Sequence, residues 1–236
     1  MNRLRLPDEA RAPGAAFPAI TPGPVVLGAV LWTLSIAFFV GQLIAQAASA
    51  RPYSIATNLI SDLGVTACGP AVCSPLHGFM NATFVAVGLC HALGAAATCR
   101  AWPRPRIAAL GLGALVVAGI GLIVAGLSPE DVNPAGHDVG ALVGLASLNV
   151  AMLVLGWAIL PATRSLARLT YGAGIVGLVG LALFLSGASG LPAGVVERIA
   201  DYPGTAMVVF LGAYLLVATV SPSRIRRAAP RPGDAS

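Results

Sequence analysis

Six apolar runs, at about 24–48, 75–98, 107–127, 138–160, 168–187 and 204–220, occupy more than half of this 236-residue chain. Each has the length, roughly 20 residues, that an α-helix needs to cross the hydrocarbon core of a bilayer. Inside hydrocarbon every backbone N–H and C=O must be satisfied within the protein, so runs of this kind fold as helices. The sequence therefore predicts an all-α fold, a polytopic membrane bundle of six transmembrane helices spanning 24–220. A cytoplasmic tail, 1–23, precedes it, and a second tail, 221–236, rich in Arg and Pro and expected to be disordered, follows. The first run is longer than the 7 to 15 residues of a signal-peptide core, so no cleavage is expected. With 57% hydrophobic and 10% charged residues, the composition excludes a water-soluble α/β enzyme.

Charge placement orients the bundle. All 14 basic residues are Arg, and 12 of them fall in the tails and in the loops after the second and fourth runs. Arg51 and Arg198 alone lie on the other side. By the positive-inside rule both termini are cytoplasmic, in the plasma membrane of a bacterium, and the loops after runs one, three and five face outward. Flanking Arg residues serve topology and contact anionic lipid, so membrane lipids are the expected partners and nucleic acid is not.

The outward loop from about 49 to 74 is the one long connection. Ile55, Leu59 and Leu63 recur every four residues between Ser54, a suitable N-cap, and Gly64, a suitable C′. This spacing predicts a short amphipathic helix on the outer face, with Asn58, Ser61 and Asp62 along its polar stripe. Cys68 and Cys73 follow, and on an oxidising face they are expected to form a disulfide that closes a small loop. Gly136, Gly140 and Gly144 form a small-residue ridge suited to close helix packing.

Six of the nine acidic residues, Asp62, Glu130, Asp131, Asp138, Glu197 and Asp201, map to the outer side, with His77 opening the second run and His137 the fourth. Asn81 and His91 continue the face of His77, and Asn149 that of Asp138, so polar stripes are expected to run into the bundle and face its interior. Arg198, beside Asp201, is a candidate anchor for a phosphate or carboxylate head group. The candidate ligand site is Asn58, Ser61, Asp62, His77, Asn81, His137, Asp138 and Arg198. Two other readings stand beside it. His77, His137, Asp138 and Asp62 are ligand types suited to zinc, the one cofactor considered, although no paired-His helix motif is present. The same groups could instead hydrogen-bond one another and pin the loop. No G-x-S-x-G elbow and no Gly-rich phosphate loop occurs.

Three blocks carry a resemblance: Tyr53-Ser54 with Asn58-Leu-Ile-Ser61-Asp62-Leu-Gly64, Asn81-Ala-Thr-Phe84, and Gly136-His137-Asp138-Val-Gly-Ala141. Together with six spans, the chain resembles the domain-of-unknown-function 998 family of prokaryotic membrane proteins over residues 24 to 220. That resemblance implies the fold and no settled activity. The Ile-Ser-Asp-x-Gly block is also similar to the six-span Frag1/DRAM/Sfk1 proteins, linked to lipid remodelling. In residue type alone the Ser, Asp and His set is similar to the zinc-dependent ceramidase superfamily, whose seventh span and paired-His element are missing here. The functional expectation is an outward polar pocket for a lipid head group or small polar ligand. The alternatives are a zinc-dependent lipid hydrolase and a structural partner protein without a ligand.

Overall fold

The computed structural model describes residues 22–187 and 190–220; residues 1–21 of the expected tail 1–23, and the expected tail 221–236, lie outside the described residues, and residues 22 and 23 already belong to a helix. The elements are α1 (Pro22–Leu34), α2 (Ala37–Ala47), a 3₁₀ turn (Ser61–Gly64), α3 (His77–Thr98), α4 (Pro105–Leu127), α5 (Pro134–Ile159), α6 (Arg164–Ser186) and α7 (Ala193–Val220). Taken together, α1 and α2 make the first of six segments long and apolar enough to cross a membrane, and α3 to α7 supply the other five. The chain is a multi-pass, all-helical membrane protein.

Local chemistry sets the helix ends. Pro105 and Pro134 stand at helix starts, where a missing N–H costs nothing. The Asn133 side chain accepts the Gly136 amide at 3.1 Å, and Thr163 accepts that of Leu166 at 3.1 Å. Helix α6 ends where Gly187 turns left-handed, at φ 60°. The first span is not straight. Ser35, Ile36 and Phe38 donate three residues back, to Trp32, Thr33 and Ser35, and this tightened turn separates α1 from α2.

Helix α7 begins at Ala193, well before the apolar run at about 204, because Glu197, Arg198 and Asp201 all find partners inside the protein. Pro203 lies within it and cannot donate to the carbonyl four residues back. The next carbonyl, that of Ala200, accepts Asn149 Nδ2 from α5 at 2.8 Å, so a side chain from a neighbouring helix serves the weakened turn.

The helices close into a ring. Each of α3, α4, α5, α6 and α7 packs on its predecessor, α3 packs on α1, and α7 returns to α1. Close approach of α4 and α5 rests on the glycine ridge: a Cβ on Gly140 would lie 2.6 Å from the Ala125 amide, and one on Gly121 would overlap Gly144. The ridge is thus used within one bundle. Trp32, Leu115, Met152, Leu155, Leu211 and Leu215 form one core cluster. A second, with Phe38, Ile60, Leu63, Met80, Phe84 and Val87, joins the long loop to the helices. Leu27, Leu43, Leu110, Leu169 and Val217 are more than half exposed around the ring, as suits helices bathed in lipid.

The expected helix over 54–64 is not formed. Ser54 O accepts the Thr57 and Asn58 amides in a single turn, and only Ser61–Gly64 coil again, as a 3₁₀ turn. The reason lies in α7. A helix would pair the Ile60 amide with the Ala56 carbonyl; instead Glu197 accepts from Ile60, and Ala56 O accepts the Val195 amide at 3.1 Å. The Leu59 amide likewise goes to Asp62 Oδ2 at 2.9 Å, while its would-be partner, Ile55 O, accepts Arg198 Nη1 at 2.9 Å. Tertiary partners outbid the local ladder, and the segment becomes a strap across the bundle mouth.

Candidate functional site

The strap, residues 54–64, and the residues just after it are bound on three sides. From α7, Arg198 Nη1 donates to the carbonyls of Ile55 and Asn58, each at 2.9 Å, and Nη2 donates to Tyr53 Oη at 2.7 Å. The guanidinium carbon also lies 5.9 Å from the Tyr53 ring and 6.0 Å from that of Tyr202. Gly194 makes room for this contact, since a Cβ there would overlap the Asn58 carbonyl. From α3, Asn81 Nδ2 donates to Gly64 O at 2.8 Å, and just before that helix Ser74 Oγ donates to Leu63 O at 2.7 Å. From the loop between α4 and α5, Asp131 accepts the Thr66 amide and hydroxyl and the Ala67 amide, at 2.8 to 3.1 Å.

Desolvation opposes charge on Asp131, but those amide and hydroxyl donors outweigh it and hold the carboxyl below its ordinary value. Its neighbour Glu130 behaves oppositely. Burial pushes the Glu130 carboxyl up, helped by nearby Asp62 and opposed by the Ser61 hydroxyl and by His137. Burial likewise raises the Tyr53 phenol to about 12, so it remains neutral as the acceptor for Arg198.

Beneath the strap lies a cavity of about 60 Å³. Ile60 and Ser61 form its lid, and Phe84, Leu122, Leu145 and Leu148 give it apolar walls. Its polar lining is Ser61, His91, His137, Glu197, Asp201 and Thr205. Thr205 Oγ1 donates to Asp201 Oδ1 at 2.6 Å. His137 Nδ1 lies 3.2 Å from Ala125 O and 3.0 Å from Ser128 O, and two carbonyls require that this nitrogen carry a proton. His91 is 2% exposed and its Nε2 has no hydrogen-bond partner.

The expected site residues are distributed differently from their spacing. Ser61 and His137 line the cavity, and Asp62 is half-buried beside Glu130. Asn58 Nδ2 donates to Asp62 Oδ2 at 3.0 Å, so these two do share a side of the strap. Asn81 is buried, but it holds Gly64. His77 is half-buried with Nδ1 2.9 Å from Ser74 O, away from the cavity, and Asp138 is exposed on the first turn of α5. Arg198, 7% exposed, gives its two terminal nitrogens to the strap, Gly194 and Tyr53, while its buried Nε has no hydrogen-bond partner. The set proposed for zinc, His77, His137, Asp138 and Asp62, is not brought together: among the described residues no group of three or more His, Cys, Asp or Glu is close enough to hold a metal. Cys68 and Cys73 are joined in a disulfide.

Four cavity residues, His91, Glu197, Asp201 and Thr205, and Glu130 at the mouth, escaped the sequence-based site. The signal was present in Glu197 and Asp201, four residues apart on one helical face, with Thr205 a further turn along.

The model of a family described as "Protein of unknown function (DUF998)" matches residues 26–214. No curated protein and no solved structure matches the chain.

Proposed function

Because the chain belongs to the DUF998 family of proteins of unknown function, its activity has to be read from its own residues, and we propose that it receives a small polar ligand, such as a lipid head group, in the cavity beneath the strap. One observation carries this reading: ionisable and hydrogen-bonding side chains from α3, α5 and α7 converge on open volume inside a membrane bundle. Ionisable groups at such depth are expensive and cluster where a protein binds or moves something. A concave, mostly apolar site with a few convergent polar groups is the usual form of a small-molecule site. The Arg distribution and the Cys68–Cys73 disulfide support an outward-facing mouth, with both termini cytoplasmic in a cell membrane.

The test is the melting temperature of the purified full chain with glycerol, serine, ethanolamine, inositol and inorganic phosphate, beside Ser61→Ala, Asp62→Ala and His137→Ala. Stabilisation of the wild type that is lost in folded variants supports a ligand site. No response to any compound, with unfolding in all three variants, makes the polar cluster a clasp and the protein a structural partner of some other membrane component.

A further inference from the structure

The reading above leaves the ligand's chemistry open, and the cavity lining narrows it. Of its hydroxyls, that of Thr205 is committed, donating to Asp201, and that of Ser61 stands beside the Glu130 carboxyl. His137 directs its Nδ1–H to the backbone carbonyls of Ala125 and Ser128. Glu197 and Asp201 bring carboxyl groups from α7, and no Arg or Lys lines the cavity. Arg198, next to Glu197 in α7, spends its two terminal nitrogens on the carbonyls of Ile55, Asn58 and Gly194 and on Tyr53. At the mouth Asp62 and Glu130 add further acidic groups. His91, whose buried Nε2 has no hydrogen-bond partner, lines the same space from α3.

A chamber of this kind offers phosphate and carboxylate no cation, and gives a neutral polyol more acceptors than donors. It suits a group that brings several N–H donors and a positive charge. At about 60 Å³ it holds only a few water-sized groups, since one water needs on the order of 10–15 Å³ by the same measure. A bulky quaternary ammonium is excluded by size, and Phe84 alone cannot form the aromatic cage such a cation prefers.

We propose that the cavity beneath the strap binds a small primary ammonium group, with Glu197, Asp201 and His91 as its acceptors. This rests on the ligand-site reading above and assigns its ligand class. The ammonium could belong to a free amine or to the ethanolamine head of a phospholipid, and both present the same –NH₃⁺.

The experiment is calorimetric titration of the full chain in detergent with ethanolamine, methylammonium, choline, glycerol and inorganic phosphate. Ethanolamine and methylammonium should bind, with choline, glycerol and phosphate at least about tenfold weaker, the factor expected for one charge-assisted hydrogen bond. Asp201→Asn, which keeps an oxygen for Thr205, should melt near the wild type yet lose ethanolamine affinity about tenfold, and His91→Phe should lose it too. Competition by nanodiscs of ethanolamine-headed against glycerol-headed phospholipid separates the sources: displacement by the former alone assigns a lipid head, and by neither a free amine. Glycerol or phosphate binding as tightly as ethanolamine overturns the ammonium assignment while leaving a ligand site. Binding by none of the five overturns both.

Discussion

Glu197 and Arg198, neighbours in the sequence, grip the strap by backbone groups of opposite kind: the carboxyl accepts the Ile60 amide, and the guanidinium donates to the Ile55 and Asn58 carbonyls. A single helical turn of α7 thereby takes the place of the hydrogen bonds the strap would make as a helix.

Removing the guanidinium should loosen the strap as a unit. Arg198→Ala leaves the part-buried carbonyls of Ile55 and Asn58 and the Tyr53 hydroxyl without their donor, a loss of about 3 kcal/mol. Arg198→Lys should recover less than half, because an ammonium cannot reproduce the planar fork. Equilibrium unfolding in mixed micelles measures both, and a cost below about 0.5 kcal/mol for Arg198→Ala would place the strap's stability elsewhere.

The Asp131 clamp should be acid-labile. Its folded-state carboxyl titrates below the ordinary value, near 3.9, so its contribution is fully present above that pH and disappears as pH falls through the lowered one. Hydrogen-exchange protection factors of the Thr66 and Ala67 amides should hold through the ordinary carboxylate range and collapse below it. In Asp131→Asn they should start low and change little. Glu130 has the opposite sign: its raised folded-state value gives a contribution that is present at low pH and lost as pH rises, so Glu130→Gln should flatten that side of the profile.

Gly64→Ala should cost about 1–3 kcal/mol, because the new methyl would overlap Asn81 Oδ1. Asn81→Ala should cost a similar amount by leaving the Gly64 carbonyl without its donor. The double variant should cost less than the sum, since the clash and the lost bond share one side chain.

Cys68 and Cys73 should label with a membrane-impermeant maleimide on intact cells only after reduction, whereas half-buried Cys90 in α3 should resist it. Labelling without reduction would show that the pair is not bonded in the cell. The Cys68→Ser, Cys73→Ser double variant should be less stable by about 2 kcal/mol, as expected for so short a loop.

What the sequence made legible follows the physics that acts locally. Hydrocarbon length and the Arg bias mark six spans, because each span must satisfy its own backbone. The cysteine pair was legible from spacing and setting. The strap was not, since the hydrogen bonds that unmake its helix come from Val195, Glu197 and Arg198, about 140 residues away. Asp138 misled for a related reason. His137 and Asp138 are adjacent and equally polar, and only the placement of α4 decides that the first is buried and the second exposed. Helix α7 was read short because hydropathy scores Glu197 and Asp201 as water-seeking, while the fold gives them partners within the protein.

The ring of helices also sets an order of assembly. Arg198 leaves the ribosome 143 residues after Ile55, the carbonyl it will hold. At about 5–20 residues per second, that is roughly 7–30 s of synthesis. Through that interval the α7 contacts of the first loop are still unmade, and its polar backbone must rest on water or a chaperone. A ribosome stalled before α7 would therefore display residues 54–64 to proteases that the finished protein resists, which makes the strap a natural checkpoint for completed insertion.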